Sequence, residues 1–402
     1  MKRISWPIAT IFLASSCATT SRDREQRQTV DPRLRAECYS ATLLPEDSQA
    51  GITDIDDAGR VLVTSFGAVG AWVWDGSRHD LQPPAGGNAI AARMNRHGTI
   101  IGVGGLKTED GGPISDPRLY RWDTFEPRPL ATPEGAVNIH NSFINDRGHV
   151  AGTFAREDGV THVFLWRGEG TPADLGLGFA SDFNDDDNIV ATVGERAVVF
   201  RDDERIDVGL RVVEGSLRLD TRGDVAGGKW IASPLGDRES PFFWDGTRVI
   251  EPTASLGLEG RVSGLGNAGD LVGFIGFGAD TKPFHWRAGV LTVLGTLHPN
   301  DVNGSGQVVG VDVTARAPFV WQAGEVVHLP LPPGAPREQA QASRIGETGV
   351  IAGAWGGSGG EIVVWKPNRC DGPEPPPPPP DAEPPAGDGG PPLPDDEPEP
   401  EL

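Results

Sequence analysis

Residues Asp301 to Gly310 read DVNGSGQVVG. Val302 and the pair Val308–Val309 flank a polar turn, and Asp301, Asn303 and Ser305 alternate as the first ligands of a calcium loop do. The same residues also suit the corner of a β-hairpin. The recurrence of the stretch, and what its copies keep, decides between the two.

It recurs in eight copies, whose turns end at Gly59, Gly98, Gly148, Asp187, Gly223, Gly269, Gly306 and Gly349, about 40 residues apart. Four residues before each lies an apolar side chain, from Ile55, Met94 and Ile144 to Val302 and Ile345. Two residues after each lies another, from Val61 to Ile351, and two further on the column is small except at Val63. An aromatic strand follows every turn, ending at Trp74, Trp122, Trp166, Phe200, Trp244, Trp286, Trp321 and Trp365. Residues two apart share a strand face, so Phe164 with Trp166 and Phe284 with Trp286 form packed stripes. A short turn and a weaker strand, such as ADLGL or VLTVL, complete the unit.

Four short strands in a period near 40 predict an all-β fold, a β-propeller of eight four-stranded blades. A blade buries both faces, which accounts for apolar residues at consecutive positions such as Val308 and Val309. The small column is expected on an inner strand crowded toward the axis. The eighth repeat stops at its aromatic strand, while an orphan strand, Tyr39 to Leu44, precedes the first. Donating it to blade eight closes the ring and leaves no open edge. Cys38 and Cys370 flank that shared blade, and a disulfide between them would stand in for the missing covalent hairpin.

Blocks such as INDRGHVAG…THVFLW…ADLGL and VNGSGQVVG…APFVW…VHL resemble the HAF-type bacterial extracellular repeat over residues 52 to 365. The resemblance implies an exported repeat protein and no particular chemistry. Thr161-His162-Val163-Phe164 comes nearest to the triplet that names the family.

The turn itself reads as a hairpin corner. Asp or Asn stands three residues before the glycine at Asp56, Asn95, Asn145, Asn184, Asp220 and Asn303, as turn capping requires. Only Asp54, Asp182 and Asp301 supply a first calcium ligand, and no closing carboxylate recurs. No metal site, cofactor or catalytic constellation is expected. Gly356 to Gly360 matches a G-x-S-x-G elbow but has no helix after it. The eight histidines lack zinc spacing, and His162 and His285 fall on aromatic strands as structural residues.

Lys2 and Arg3 precede an apolar run to Leu13 and the small residues Ala14-Ser15-Ser16 before Cys17. These are the parts of an export signal, too short to span a bilayer. The end resembles a lipobox, implying acylation of Cys17, with Leu13 one place early; the alternative is an ordinary cut near Ala14–Ala18. The domain plan is therefore a signal (1–17), a polar tether (18–37), the propeller (38–370) and a disordered tail (371–402) rich in proline and acids. Net charge is −22, which argues against nucleic acid and anionic lipid surfaces as partners. Membrane contact is expected through the anchor alone.

Strand parity places the glycine turns on one face of the ring. The loops between second and third strands lie on the other, with the blade-to-blade links, and they vary more. Val103–Pro117 and Lys229–Ser240 are the long ones. Variable loops on a rigid scaffold are where binding resides. The expectation is a monomeric cell-envelope lipoprotein, binding or scaffolding an unknown protein or glycan on that face. The alternative is a glycan-active enzyme with carboxylates in the central channel.

Overall fold

The structure, a computed structural model, describes residues 34–368 except 45–49, 57, 66–69, 85–86, 107–114, 203, 234–235, 258, 333–339 and 356–360. The signal with Cys17, most of the tether, the Gly356–Gly360 stretch, Cys370 and the acidic tail lie outside the described residues.

Each copy of the opening stretch is a hairpin corner. Asn303 Oδ1 accepts the N–H of Ser305 (3.1 Å) and of Gln307 (3.0 Å), and the Gly306 N–H donates to Asn303 O at 2.9 Å. Gly306 takes φ +73°, the left-handed region that glycine enters without cost. The hairpin makes the first two strands of a blade, the aromatic strand the third and the weaker strand the fourth. Eight antiparallel four-stranded sheets result. Their first, innermost strands begin at Ala50, Gly87, Asn138, Phe179, Arg218, Gly260, Leu297 and Ala340. Helix is confined, among the described residues, to two three-residue 3-10 turns.

Blade eight is assembled from both chain ends. Tyr39–Leu43 pairs antiparallel with Glu361–Pro367, from Tyr39 opposite Pro367 to Leu43 opposite Val363. The orphan strand is thus the outermost strand of the last blade, and the ring closes. Just before it, Leu34 is buried and packs with Tyr39, Leu329 and Trp365, so the end of the tether joins the ring.

The core is a series of layers between blades. Val308 faces blade six, packing with Val272, while Val309 faces blade eight, packing with Ile351 and Val363. Both valines are fully buried, as two covered faces demand. The repeat tryptophans fill these layers: Trp122 and Trp365 are wholly buried and Trp244, Trp286 and Trp321 nearly so, with Trp74 and Trp166 half-buried. Two of them also bond to the preceding link, Trp122 Nε1 to Gln82 O (3.0 Å) and Trp365 Nε1 to Pro330 O (2.6 Å).

The small column lies elsewhere than expected. Gly102, Gly152, Gly273, Gly310 and Gly353 stand on second strands, and what they clear is the first strand's backbone. A Cβ on each would land on a carbonyl oxygen, of Ile90, Asn141, Arg261, His298 and Gln341 respectively. The cause is a register shift in the first strand, such as that between Pro299 and Asp301, or between Ala342 and Arg344. A bulge of this kind pushes one peptide toward the neighbouring strand.

Candidate functional site

Two surfaces of the ring hold candidate chemistry: the channel with its mouth on the glycine-turn face, and the opposite face of variable loops.

The bulge lies beside a recurring column of the innermost strands. Five residues before each turn glycine, the first strands carry Asp54, Arg93, Phe143, Asp182, Arg218, Gly264, Asp301 and Arg344. Each aspartate is followed by an arginine one blade on. Asp301 Oδ1 accepts its neighbour's N–H, from Val302 at 3.0 Å, and Oδ2 accepts the Ile345 N–H of blade eight at 3.1 Å. Asp54 repeats this with Ile55 and Met94, and Asp182 with Phe183 and Leu219. Burial pushes all three carboxyls above the ordinary aspartate value, opposed by these N–H groups and by the nearby arginines. Arg93 also lies over the Phe143 ring at 5.3 Å. The three candidate calcium ligands are therefore clamps joining blades one to two, four to five and seven to eight. Sequence reading missed this ring, although the Asp-then-Arg alternation stands in the aligned repeats.

The turn caps tie the mouth together in the same way. Besides capping its own turn, Asn95 donates from Nδ2 to Asn145 O (3.0 Å), Asn145 to Asn184 O (3.2 Å), Asn184 to Asp220 O (3.0 Å) and Asn303 to Gly346 O (3.2 Å). Asp146, Asp185 and Glu347 stand one residue beyond these caps. Each accepts the N–H of the preceding blade's equivalent residue, Arg96, Asp146 and Gly304 respectively. The mouth is a basin of about 410 Å³ with Arg96 and these carboxylates at its rim. Burial, and then the neighbouring Asp146, push the Asp185 carboxyl up against its bond from the Asp146 N–H.

Asp187 is the one turn end that is not glycine, and it keeps the left-handed backbone, at φ +62°. Its carboxylate reaches into blade three, accepting from Asn145 Nδ2 (2.9 Å) and Arg167 Nε (3.3 Å) and meeting His149 Nδ1 at 2.9 Å. Burial pushes that carboxyl up, but His149, Asn145 and Arg167 together hold it below the ordinary aspartate value. Asp187→Gly relieves the backbone and loses the three contacts, so we expect a net cost of about 1 kcal/mol at neutral pH. A depressed pKa contributes stability above the unfolded value, about 3.9, and loses it as pH falls through the lower folded value. Urea titrations should therefore show the gap closing in acid. A more stable variant at pH 7 would mean that backbone strain outweighs the contacts.

Two histidines of the aromatic strands each meet an aspartate of their own blade. His285 Nε2 is buried 2.7 Å from Asp270, and His162 Nδ1 lies 2.9 Å from Asp174.

On the opposite face the long loops are partly strand. Blade two pairs out to Leu106 with Ser115, and blade five to Ile231 with Arg238. Between blades three and five lies a cleft of about 480 Å³. Its walls are the ends of the second-to-third strand turns, Val160–Thr161 and Gly194–Glu195, and the links Leu177–Phe179 and Val212–Glu214. Trp230, at the end of blade five's second strand, closes it. Leu177 is 52% exposed at its lip. Thr192 also lines the cleft, its hydroxyl buried out of reach of water and with no hydrogen-bond partner among the described residues.

No family model and no curated protein matches the sequence. Among solved structures the chain is similar to a streptogramin B lyase, at 12% identity over 83% of this chain and 99% of that one, with a TM-score of 0.41. It is similar also to the β-propeller domain of the Trilobed protease from Pyrococcus furiosus, at 13% identity over 72% and 99%, with a TM-score of 0.49. A chain of a mitotic checkpoint complex matches at 10% identity over 92% and 99%, with a TM-score of 0.43. Likeness this distant implies nothing about chemistry. By its own strands, the protein is a closed eight-bladed β-propeller.

Proposed function

We propose that this protein is an exported cell-envelope lipoprotein, held by an acylated Cys17 and working as a monomeric binding or scaffold propeller through its variable-loop face. The observation that carries the binding role is the cleft over blades three to five. It is a concave site on the face where loops vary, and its size falls in the range of small-molecule sites. The export signal and the likeness to HAF-type repeats support the address.

Binding is preferred to catalysis by channel carboxylates for a physical reason. The glycine column is no argument, since it does not face the channel. The channel column carries six charged residues, but each of its aspartates already accepts two backbone N–H groups. A carboxylate so engaged is poorly placed to attack or to shuttle a proton.

Two measurements test the reading. Capture from envelope extracts with wild-type ring, with Leu177→Arg in the cleft lip, and with Asp146→Arg at the mouth should lose its partner only for Leu177→Arg. Loss confined to Asp146→Arg would move the site to the mouth and overturn the choice of face. Fatty-acid labelling should mark the wild type and spare Cys17→Ser; equal labelling of both would remove the anchor.

A further inference from the structure

We infer that the cleft between blades three and five takes an uncharged oligosaccharide, its sugar face laid on Trp230 and Phe179. The inference rests on the proposed binding role of this face and names the ligand class. Three observations lead to it.

The first is the aromatic content. Trp230 lies outside the repeat's tryptophan column and is only half-buried, so the layers between blades do not account for it. Its indole N–H makes no hydrogen bond among the described residues. Phe179 lines the same cleft, half-buried, with the His140 ring behind it at 6.2 Å. Flat aromatic surfaces beside a free donor suit a ligand with one apolar face and hydroxyls at its edge. A β-linked glucopyranose has that form, because its hydroxyls are equatorial, at the ring's edge, and leave only axial C–H bonds on its faces.

The second is the polar rim. Glu195 and Glu214 offer carboxylate acceptors for sugar hydroxyls. Glu195 is held in place by Arg211, whose Nε donates to it at 2.8 Å while Nη1 bonds Asp237 at 2.5 Å. Hydrogen bonding and charge from Arg211 keep the Glu195 carboxyl below the ordinary glutamate value, so it remains an acceptor.

The third is charge. Two glutamates at the rim and a chain of net −22 repel phosphate, sulfate and uronate ligands. A cationic ligand is the competing class. Arg211 already sits on Glu195, so the rim does not present the paired bare carboxylates that would select an amine.

The test uses the full mature chain and three uncharged probes, chitotetraose, cellotetraose and maltotetraose, by titration calorimetry. At least one should bind. Trp230→Ala should weaken it about tenfold, the loss of roughly 1.4 kcal/mol of stacking, while Trp230→Phe keeps most of the affinity. Glu214→Gln should weaken it severalfold. An unchanged thermal melt for each variant excludes misfolding, and Asp146→Arg on the far face should bind as the wild type does. Failure of all three sugars at millimolar concentration, or binding indifferent to Trp230, overturns the sugar assignment. Tetralysine binding that depends on Glu214, with no sugar binding, overturns it in favour of a cation. If capture from extracts still depends on Leu177 when the sugars fail, the binding role of the face stands and only the ligand class falls.

Discussion

Gly310→Ala is expected to cost about 3 kcal/mol, at the upper end for forcing a methyl group into a packed interior. The new Cβ would land on the His298 carbonyl oxygen, 2.9 Å from its carbon and 3.0 Å from Pro299 Cα. All three atoms are backbone, so no side chain can swing aside. The strand that would have to retreat is the innermost of blade seven, and it is tied to blade eight through Asp301 and Asn303. Relief by movement would therefore break contacts across the next layer. Gly70→Ala is the control, since a Cβ there meets nothing within 4 Å and its backbone is not in the left-handed region. That change should be neutral within about 1 kcal/mol. Equal and small losses for the two variants in urea unfolding would mean that the first strand yields freely and that the bulge is not rigid.

The bulge also explains what was legible in the sequence and what was not. Blade number, strand order and ring closure could be read because they rest on apolar and aromatic columns that every copy repeats. Val302, Val308 and Trp321 keep their places whatever the ligand. The channel could not be read by the same means. Strict alternation assigns every second residue to one face, but the extra residue between Pro299 and Asp301 shifts that parity by one. Glycine at position 310 reads as crowded by the axis because its column is small, whereas what it clears is the His298 carbonyl beside that bulge. The proposed cleft is less legible still. Val160, Leu177, Glu195, Glu214 and Trp230 come from three blades and recur in no column, so periodicity has nothing to detect. The off-column Trp230, at the start of the long Lys229–Ser240 stretch, was the available signal.

Cys38→Ser should lower the stability of the ring by about 2–5 kcal/mol, and Cys370→Ser added to it should cost little more. The argument starts from the seam. In seven blades a peptide turn holds the fourth strand to the third; in blade eight the fourth strand, Tyr39–Leu43, comes from the other end of the chain. Backbone bonds extend the pairing on both sides of it. Leu44 N–H donates to Ile362 O at 2.8 Å, and Asn368 N–H to Cys38 O at 2.6 Å. The second of these brings the chain to Cys38 two residues before Cys370. Cys38 is fully buried there, beside Tyr39 in the layer that holds Trp365. A bond between the two cysteines would close nearly the whole chain into one loop, the case in which chain entropy favours a cross-link most. Where the fourth strand detaches, Trp365, Val363 and Leu34 lose their cover together. Peptide mapping of non-reduced protein from an oxidising compartment should recover Cys38 and Cys370 in one linked pair. Free thiols at both positions, or losses that add in the double variant, would mean that hydrogen bonds and packing alone hold the seam.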